Sequence, residues 1–380
     1  MSINLLSVLI DSGQHQRTQC PLLLTLPEAL PTGNWQLRSE EGDLLPLQSL
    51  QGNHAATLFE DLPARSTRIY HVEPADDPVE PVARITHLPE QGRIRLALRE
   101  SSVTEYHYKN VLARPYFYPL LSPEGISLTR SYPMQTDVPG ETQDHPHHRS
   151  LWIAFGEVNG VDNWSEGQGH GHTEHQTLTS SDSGSVNGRF STTSLWTDSA
   201  HNPILSQHLE VKLWATDPSI RILDFDIRLE ATHGDVHFGD TKEGGILAVR
   251  VASPLDVPRG GRIENVYRGV NEGDTWGKAA HWCDYSGTIE GHPVGIAILD
   301  HPLSFRSPTH WHVRNYGLMT ANPFGYAAYT NGINNGSHLL PNSQSLSFHY
   351  RLVLHHGNAS DGQINSHYLN YAIPPTVRFA

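Results

Sequence analysis

The stretch RILDFDIRLEA, residues 221–231, sets Leu223, Phe225, Ile227 and Leu229 in strict alternation with Asp224, Asp226, Arg228 and Glu230. Successive side chains of an extended chain point to opposite faces, so the stretch reads as a strand with one apolar and one wet face. SLSFHYRLVLHH (345–356) repeats the pattern, with Leu346, Phe348, Tyr350, Leu352 and Leu354 set against Ser347, His349, Arg351, Val353 and His355. RIRLALRE (93–100) does the same with Ile94, Leu96 and Leu98, and HLEVKLWA (208–215) with Leu209, Val211 and Leu213. GILAVRVA (245–252) and VGIAILD (294–300) are more uniformly apolar and suit central strands covered on both faces. No amphipathic run of three helical turns is visible, and 32 glycines and 26 prolines punctuate the chain as turns. The expected fold class is all-β, a large antiparallel β-sandwich.

A length of 380 residues predicts two or three packed units. ADDPVEP (75–81) interrupts the alternation just after TRIYHVEP ends a strand. Residues 1–80 therefore read as a small N-terminal β-sandwich-like domain with a packing or interface role, and 83–380 as the large domain that carries the site. SSDSGSVNGRFSTTS (180–194) reads as an exposed hairpin or loop.

Composition narrows function. Lysine and arginine total 26 against 40 acidic residues, a net charge of −14 that repels phosphate backbones and anionic lipid. Neither nucleic acid nor a membrane is an expected partner. Cys20 and Cys283 are the only cysteines, too few for a disulfide framework, a four-cysteine zinc site or an all-cysteine iron–sulfur cluster. The opening MSINLLSVLIDSG has no basic residue before its short apolar run, which Asp11 ends. It reads as neither a signal peptide nor a membrane span, and the expected location is cytoplasmic. The 25 histidines nearly equal all lysines and arginines together, and full protonation would carry the charge to +11. Most single histidines are surface residues, but clusters are candidates for metal or proton chemistry.

Three clusters stand out. DHPHHRSLWIAFGEVNGVDNW (144–164) carries Asp144, His145, His147, His148 and Arg149, then Glu157, Asn159, Asp162 and Trp164. In extended backbone His145 and His147 would face one side and could share a metal. The carboxylates, amide and indole downstream suit a sugar, whose hydroxyls take hydrogen bonds and whose apolar face packs on an aromatic ring. HFGDTKEGGILAVRVA (237–252) supplies Asp240, Lys242, Glu243 and Arg250 ahead of a strand, as an active-site rim would, although a plain salt-bridge network reads equally well. WGKAAHWCDYSG (276–287) and DHPLSFRSPTHWHVRNYGLMTANPFG (300–325) add Trp276, Trp311, Arg306, Arg314 and a second pair, His310 and His312, which with the first could build a four-nitrogen metal site. GQGHGHTEHQ (167–176) holds His170, His172 and His175, but its glycines favour a mobile loop or lid. HExxH, GxSxG and the phosphate-binding GxxxxGK[ST] are all missing, so no nucleotide cofactor is expected.

Together NVLARPYFYPL, TRSYPM, DHPHHRSLWIAFGEVNGVDNW, FGDTKEGGILAVRVA, WGKAAHWCDYSG and the 300–325 segment, in order over roughly residues 105–355, resemble a bacterial family of unknown function, DUF6807, which often carries the label "methane oxygenase PmoA". The family form has glycine where Ser150 stands. The resemblance implies a galactose-mutarotase-like β-supersandwich that binds sugar on the concave face of one sheet, and a place in carbohydrate catabolism. Methane oxidation does not fit, because no apolar stretch approaches the ~20 residues of a spanning helix.

The expected function is thus a carbohydrate-active enzyme of the lyase, hydratase or epimerase kind, working by acid–base chemistry on a sugar or keto-sugar glycoside. His148 and Glu243 are the expected acid/base residues, with Lys242, Arg149 or a histidine-bound divalent metal stabilising the oxyanion. Asp144, Glu157, Asn159, Asp162, Trp164, Asp240, Trp276, Trp311 and Arg314 would bind the substrate, and His145, His147, His310 and His312 any metal. The alternatives are a non-catalytic sugar-binding protein, a glycoside hydrolase pairing Glu157 with Glu243, and a histidine-ligated metal oxidase. The expected partner is a small-molecule carbohydrate, and a homo-oligomer is compatible with the sequence.

Overall fold

The computed structural model describes residues 6–75, 80–109 and 113–379. The linker expected at 75–81 falls partly outside these residues. Two eight-stranded antiparallel sheets form the body. The first runs, edge to edge, His310–Arg314, Leu318–Asn322, Gly244–Arg250, Leu151–Phe155, Tyr116–Phe117, Ser101–His107, Arg93–Leu98 and Ala83–Leu88. The second runs His172–Asp182, Asn187–Thr197, Pro203–Trp214, Arg221–Glu230, Ser345–His356, His292–Asp300, Trp282–Ile289 and Arg262–Asn265.

Period-two patterning makes the sheets pack face to face. Leu223, Phe225, Ile227 and Leu229 pair across strands with Leu352, Tyr350, Phe348 and Leu346. All eight enter one core with Leu151, Ile153, Phe155, Leu247 and Val249 of the first sheet. A slip of one residue would put Asp224 and Arg351 there instead, so burial fixes the register. The uniformly apolar strands are the doubly covered ones: Val294, Ile296 and Ile298 face the main core while Ala297 and Leu299 face a second cluster.

The N-terminal residues form a seven-stranded sheet with its own core, built on Val8, Ile10, Leu22, Leu37, Phe59 and Tyr70. Its last strand is Thr376–Phe379, paired with Ser7–Asp11, so the chain's end belongs here and not to the large domain as expected. Strand partnership is non-local, and nothing in TVRF names its partner. The preceding helix, Ile364–Ala372, carries the chain across, held where Arg17 Nη1 donates to the Leu369 carbonyl (3.2 Å) and Asn370 Nδ2 to the Thr18 carbonyl (2.9 Å). Ala56 and Leu58 of this domain, Ile364 and Tyr368 of the helix, and Trp214, Ile222, Trp282 and Val353 of the second sheet share one apolar cluster. Gln48 adds three hydrogen bonds to the backbone of Val186 and Asn187, each 2.9–3.0 Å.

The outer face of the second sheet is thereby covered, whereas that of the first is crossed by loops. The serine-rich tract at 180–194 forms the facing arms of the hairpin His172–Asp182/Asn187–Thr197. Among the described residues no helix is long and apolar enough to cross a membrane.

Candidate active site

Strand pairing assembles what sequence distance conceals. Reading across the first sheet, His312 pairs with Thr320, Thr320 with Ala248, Ala248 with Trp152, Trp152 with Tyr116, Tyr116 with His107, and His107 with Arg93. Residues directly opposite one another share a face. This row therefore lies on the face away from the core, and Arg314, Leu318 and Arg250 form the next row.

The loop before Leu151–Phe155 folds onto that face. The His148 ring lies between His145 (centroids 4.8 Å, 7° between planes) and Trp152 (5.3 Å), with Trp164 5.5 Å away. Arg250 Nη1 approaches His148 Nδ1 at 3.2 Å, so that nitrogen accepts and the ring proton sits on Nε2. Asp144 takes Arg250 Nη2 at 2.8 Å and also Arg130, whose Nη2 donates to the His145 carbonyl at 2.9 Å. Burial, with the neighbouring cations added, holds His148 well below the ordinary imidazole value. Burial also pushes His147 down to about 4.

On the other side of Tyr316, which stacks on His145 at 5.2 Å, stand Arg314, His312 and Trp276. Trp276 Nε1 donates to His312 Nδ1 (3.0 Å), and burial pushes His312 down to about 3. Arg314 Nε comes within 2.8 Å of Glu272, an ion pair not aligned as a hydrogen bond.

Glu243 reaches over the same face from the loop before Gly244–Arg250. Two glycines permit the close approach: a Cβ on Gly245 would sit 1.8 Å from Thr320 Oγ1, and one on Gly156 2.0 Å from the Glu243 carbonyl. Burial works to raise the Glu243 carboxyl, but its hydrogen bond and ion pair with Lys242, and the nearby His312 and His147 rings, leave it below the usual value. At neutral pH the face thus offers an ionised carboxylate, neutral imidazoles and guanidinium groups. The indole N–H groups of Trp152 and Trp164 are buried there without a protein acceptor.

Other expected residues have different work. His148, 1 % exposed and bonded to Arg250, is enclosed where an acid/base residue would need access. Arg149 is held bidentate by Glu166 (3.0 and 2.8 Å), which Arg114 also approaches. Trp311 is core, its Nε1 on the Ala280 carbonyl at 2.8 Å. Asp240 accepts the backbone N–H groups of Ala327 and Gly336, and Asp162 those of Trp164 and Ser165, so both carboxylates fix loops. Asn159 clasps His237 N and the Asp235 carbonyl. Glu157 lies against Gly239, beyond the far end of Leu151–Phe155, and Arg306 ties down the carbonyls of Pro323, Gly336 and Ser337.

The histidines do not come together as two aligned pairs, although one of each, His147 and His312, lies near enough to Glu243 to lower it. His145 has φ of 41°, which breaks the extended geometry that would have aligned it with His147, and His310 stacks instead on Tyr329 at 5.7 Å. Only the first half of GQGHGHTEHQ is loop, because His172 begins an edge strand. Sequence reading also passed over Tyr116, His107, Arg93, Arg130, Arg114, Glu166, Glu272 and Tyr316. The one signal was the alternation in RIRLALRE, which turned Arg93 and Arg95 away from the core.

The fold and this face define an all-β supersandwich with a charged, aromatic-lined site on the outer face of one sheet. The chain belongs to DUF6807, a family of unknown function, whose model matches residues 93–369. No curated protein matches the chain. Similar solved structures include a protein in the glycosyl hydrolase family 38 from Enterococcus faecalis (9% identity, 99% of this chain and 47% of that one, TM-score 0.47). Another is the alpha-galactosidase from Lactobacillus brevis (8% identity, 76% and 42%, TM-score 0.35). The chain spans less than half the length of either. Ser150 sits at φ of 57°, a conformation that glycine adopts without strain.

Proposed function

We propose that the chain is a carbohydrate-active enzyme working by acid–base chemistry on a sugar or keto-sugar glycoside, as a lyase, hydratase or epimerase. The observation that carries this reading is the electrostatic coupling of ionised Glu243 to the rings of His147 and His312, the latter bonded by Trp276 and two residues from Arg314 on one strand. Glu243 takes a proton from the carbon next to a sugar carbonyl, and the C–H electrons move into the carbonyl oxygen. Arg314 and Lys242 face the resulting oxyanion. Delivery of a proton from water to the opposite face of that carbon, with the abstracted proton left on Glu243, completes an epimerisation. In an elimination the enolate reforms the carbonyl and expels the glycosidic oxygen, which takes a proton from water, and hydration is the reverse addition. Trp276 supplies a platform for the sugar's apolar face. His148, fixed by Arg250, is a positioning residue for His147 and His145.

The test is NMR in D2O of the full chain with a pyranoside and with its keto-sugar counterpart. Deuterium exchange next to the carbonyl, with cleavage or epimerisation, that disappears in Glu243→Gln supports the proposal. Saturable sugar binding without exchange or turnover in the parent would overturn it in favour of a non-catalytic sugar-binding protein. Hydrolysis of the unoxidised glycoside that needs both Glu157 and Glu243 would make the protein a glycoside hydrolase instead.

A further inference from the structure

At the edge of the second sheet, away from the site above, three side chains converge that the proposed chemistry does not use. His172 and Glu174 lie two apart at the start of the edge strand and so point to one side. Opposite them stands His201, in the turn that joins Asn187–Thr197 to Pro203–Trp214, brought alongside because His172 pairs with Thr197. One donor atom from each of the three falls within 4.8 Å of the others. The His172 and His201 rings stack at 4.5 Å, and His201 Nδ1 lies 2.5 Å from Glu174 Oε1. We infer that His172, Glu174 and His201 form a binding site for a divalent transition metal of the zinc type.

Several features fit a ligand set better than a surface cluster. His172 Nδ1 is buried and makes no well-aligned hydrogen bond, the ring's only other polar neighbour being the Asp198 backbone, and a metal would satisfy it. His201 is held at φ of 64°, a conformation that disfavours a side-chain-bearing residue, by a turn in which Asp198 accepts Ala200 N, Asn202 N and Asn202 Nδ2 at 2.8–2.9 Å. Thr197 Oγ1 donates to Glu174 Oε1 at 3.2 Å, the kind of outer contact that orients a ligating carboxylate.

His170 stands next in line, its ring 4.7 Å from that of His172. Its Nδ1–H is committed to the Gly171 carbonyl at 2.7 Å, which leaves Nε2 free as a fourth ligand. Zinc takes imidazole nitrogen and carboxylate oxygen at roughly 2.0–2.2 Å in a tetrahedron, which places neighbouring donors about 3.4 Å apart, so the cluster needs only small side-chain adjustments. A bound ion would pin the segment that leads from Glu166, and with it the partner of Arg149, to the second sheet's edge hairpins.

The experiment uses the full chain purified without a histidine tag, stripped with EDTA and titrated with Zn2+ by calorimetry and with Co2+ by visible absorption. One equivalent should bind, His172→Ala and His201→Ala should each weaken binding about tenfold or more, and the His145→Ala/His147→Ala double variant should bind as the parent does. No stoichiometric binding by the parent, or binding that survives His172→Ala/His201→Ala, would overturn the inference. Glu174→Gln, close in shape to the parent, provides the same reading should an alanine variant misfold, with circular dichroism melts in EDTA as the control.

Discussion

Both large sheets turn a polar outer face away from the shared core, but the two faces use their charges differently. On the second sheet Asp224 takes Arg351 through both oxygens (2.6 and 2.8 Å) and Trp214 Nε1 at 2.7 Å, while Lys212 and His349 close on Asp226 at 2.6 Å each. Helix Ile364–Ala372 and the N-terminal domain pack beside this network. On the first sheet histidines stack on one another, and two indole N–H groups have no protein acceptor. The charges of the second face are thus held in direct ion pairs beneath the helix and the N-terminal strands, whereas the first face carries stacked rings and the candidate site.

The largest expected effect breaks one of those ion pairs. Asp224→Ala leaves Arg351, 3 % exposed, without its counter-charge and should cost ~3–5 kcal/mol in urea unfolding. Glu243→Gln should do the reverse: turnover falls about 10²-fold or more by general-base loss while the unfolding midpoint barely moves, since the side chain is half exposed. A large stability loss in Glu243→Gln would erase the contrast between the faces.

The pH dependences should diverge as well. His147 and His312 are pushed down by burial to about 4 and about 3 when folded, from an ordinary imidazole value of 6.5. The unfolded chain binds more protons between those values, so their contribution to stability is present above 6.5 and lost as pH drops through the window from 6.5 toward 3. His355, buried against Asp284 at 2.7 Å, moves the other way: burial opposes, but the Asp284 charge and hydrogen bond raise it. Its contribution is complete below the unfolded value and disappears as pH climbs through the raised one. Unfolding of His312→Gln should therefore lose part of the acid sensitivity, and that of His355→Gln part of the alkaline sensitivity. Activity should fall in acid as His147 protonates near 4, and His147→Ala should alter that limb.

The smallest effect is expected at Ser150. Glycine there relieves left-handed strain of about 1 kcal/mol but gives up the 2.7 Å hydrogen bond to Thr129 Oγ1, worth about as much. The thermal midpoint of Ser150→Gly should stay within the range of a ~1 kcal/mol change.

Much of the fold was legible because period two is a local property: Leu223 to Leu229 and Leu346 to Leu354 announce their buried faces without reference to their partners. Segments 144–149, 242–243 and 312–314 were legible as polar clusters by density alone. Their roles were not, since His148 and His147 look alike in sequence, and only the Arg250 contact and enclosure by two rings separate them. The shared face expected of His145 and His147 is absent because of one dihedral angle, φ of 41° at His145.

By itself the sequence determined an all-β chain of alternating strands, an acidic net charge and the segments where polar residues concentrate. The tertiary structure alone decided that the row from His312 to Arg93 crosses seven strands on one face, that Thr376–Phe379 closes the N-terminal sheet, and that His201 meets His172 and Glu174. The physical reason is the same throughout. Alternation fixes which way a side chain points within its strand, but strand order and register, set by burial over the whole core, fix what it meets.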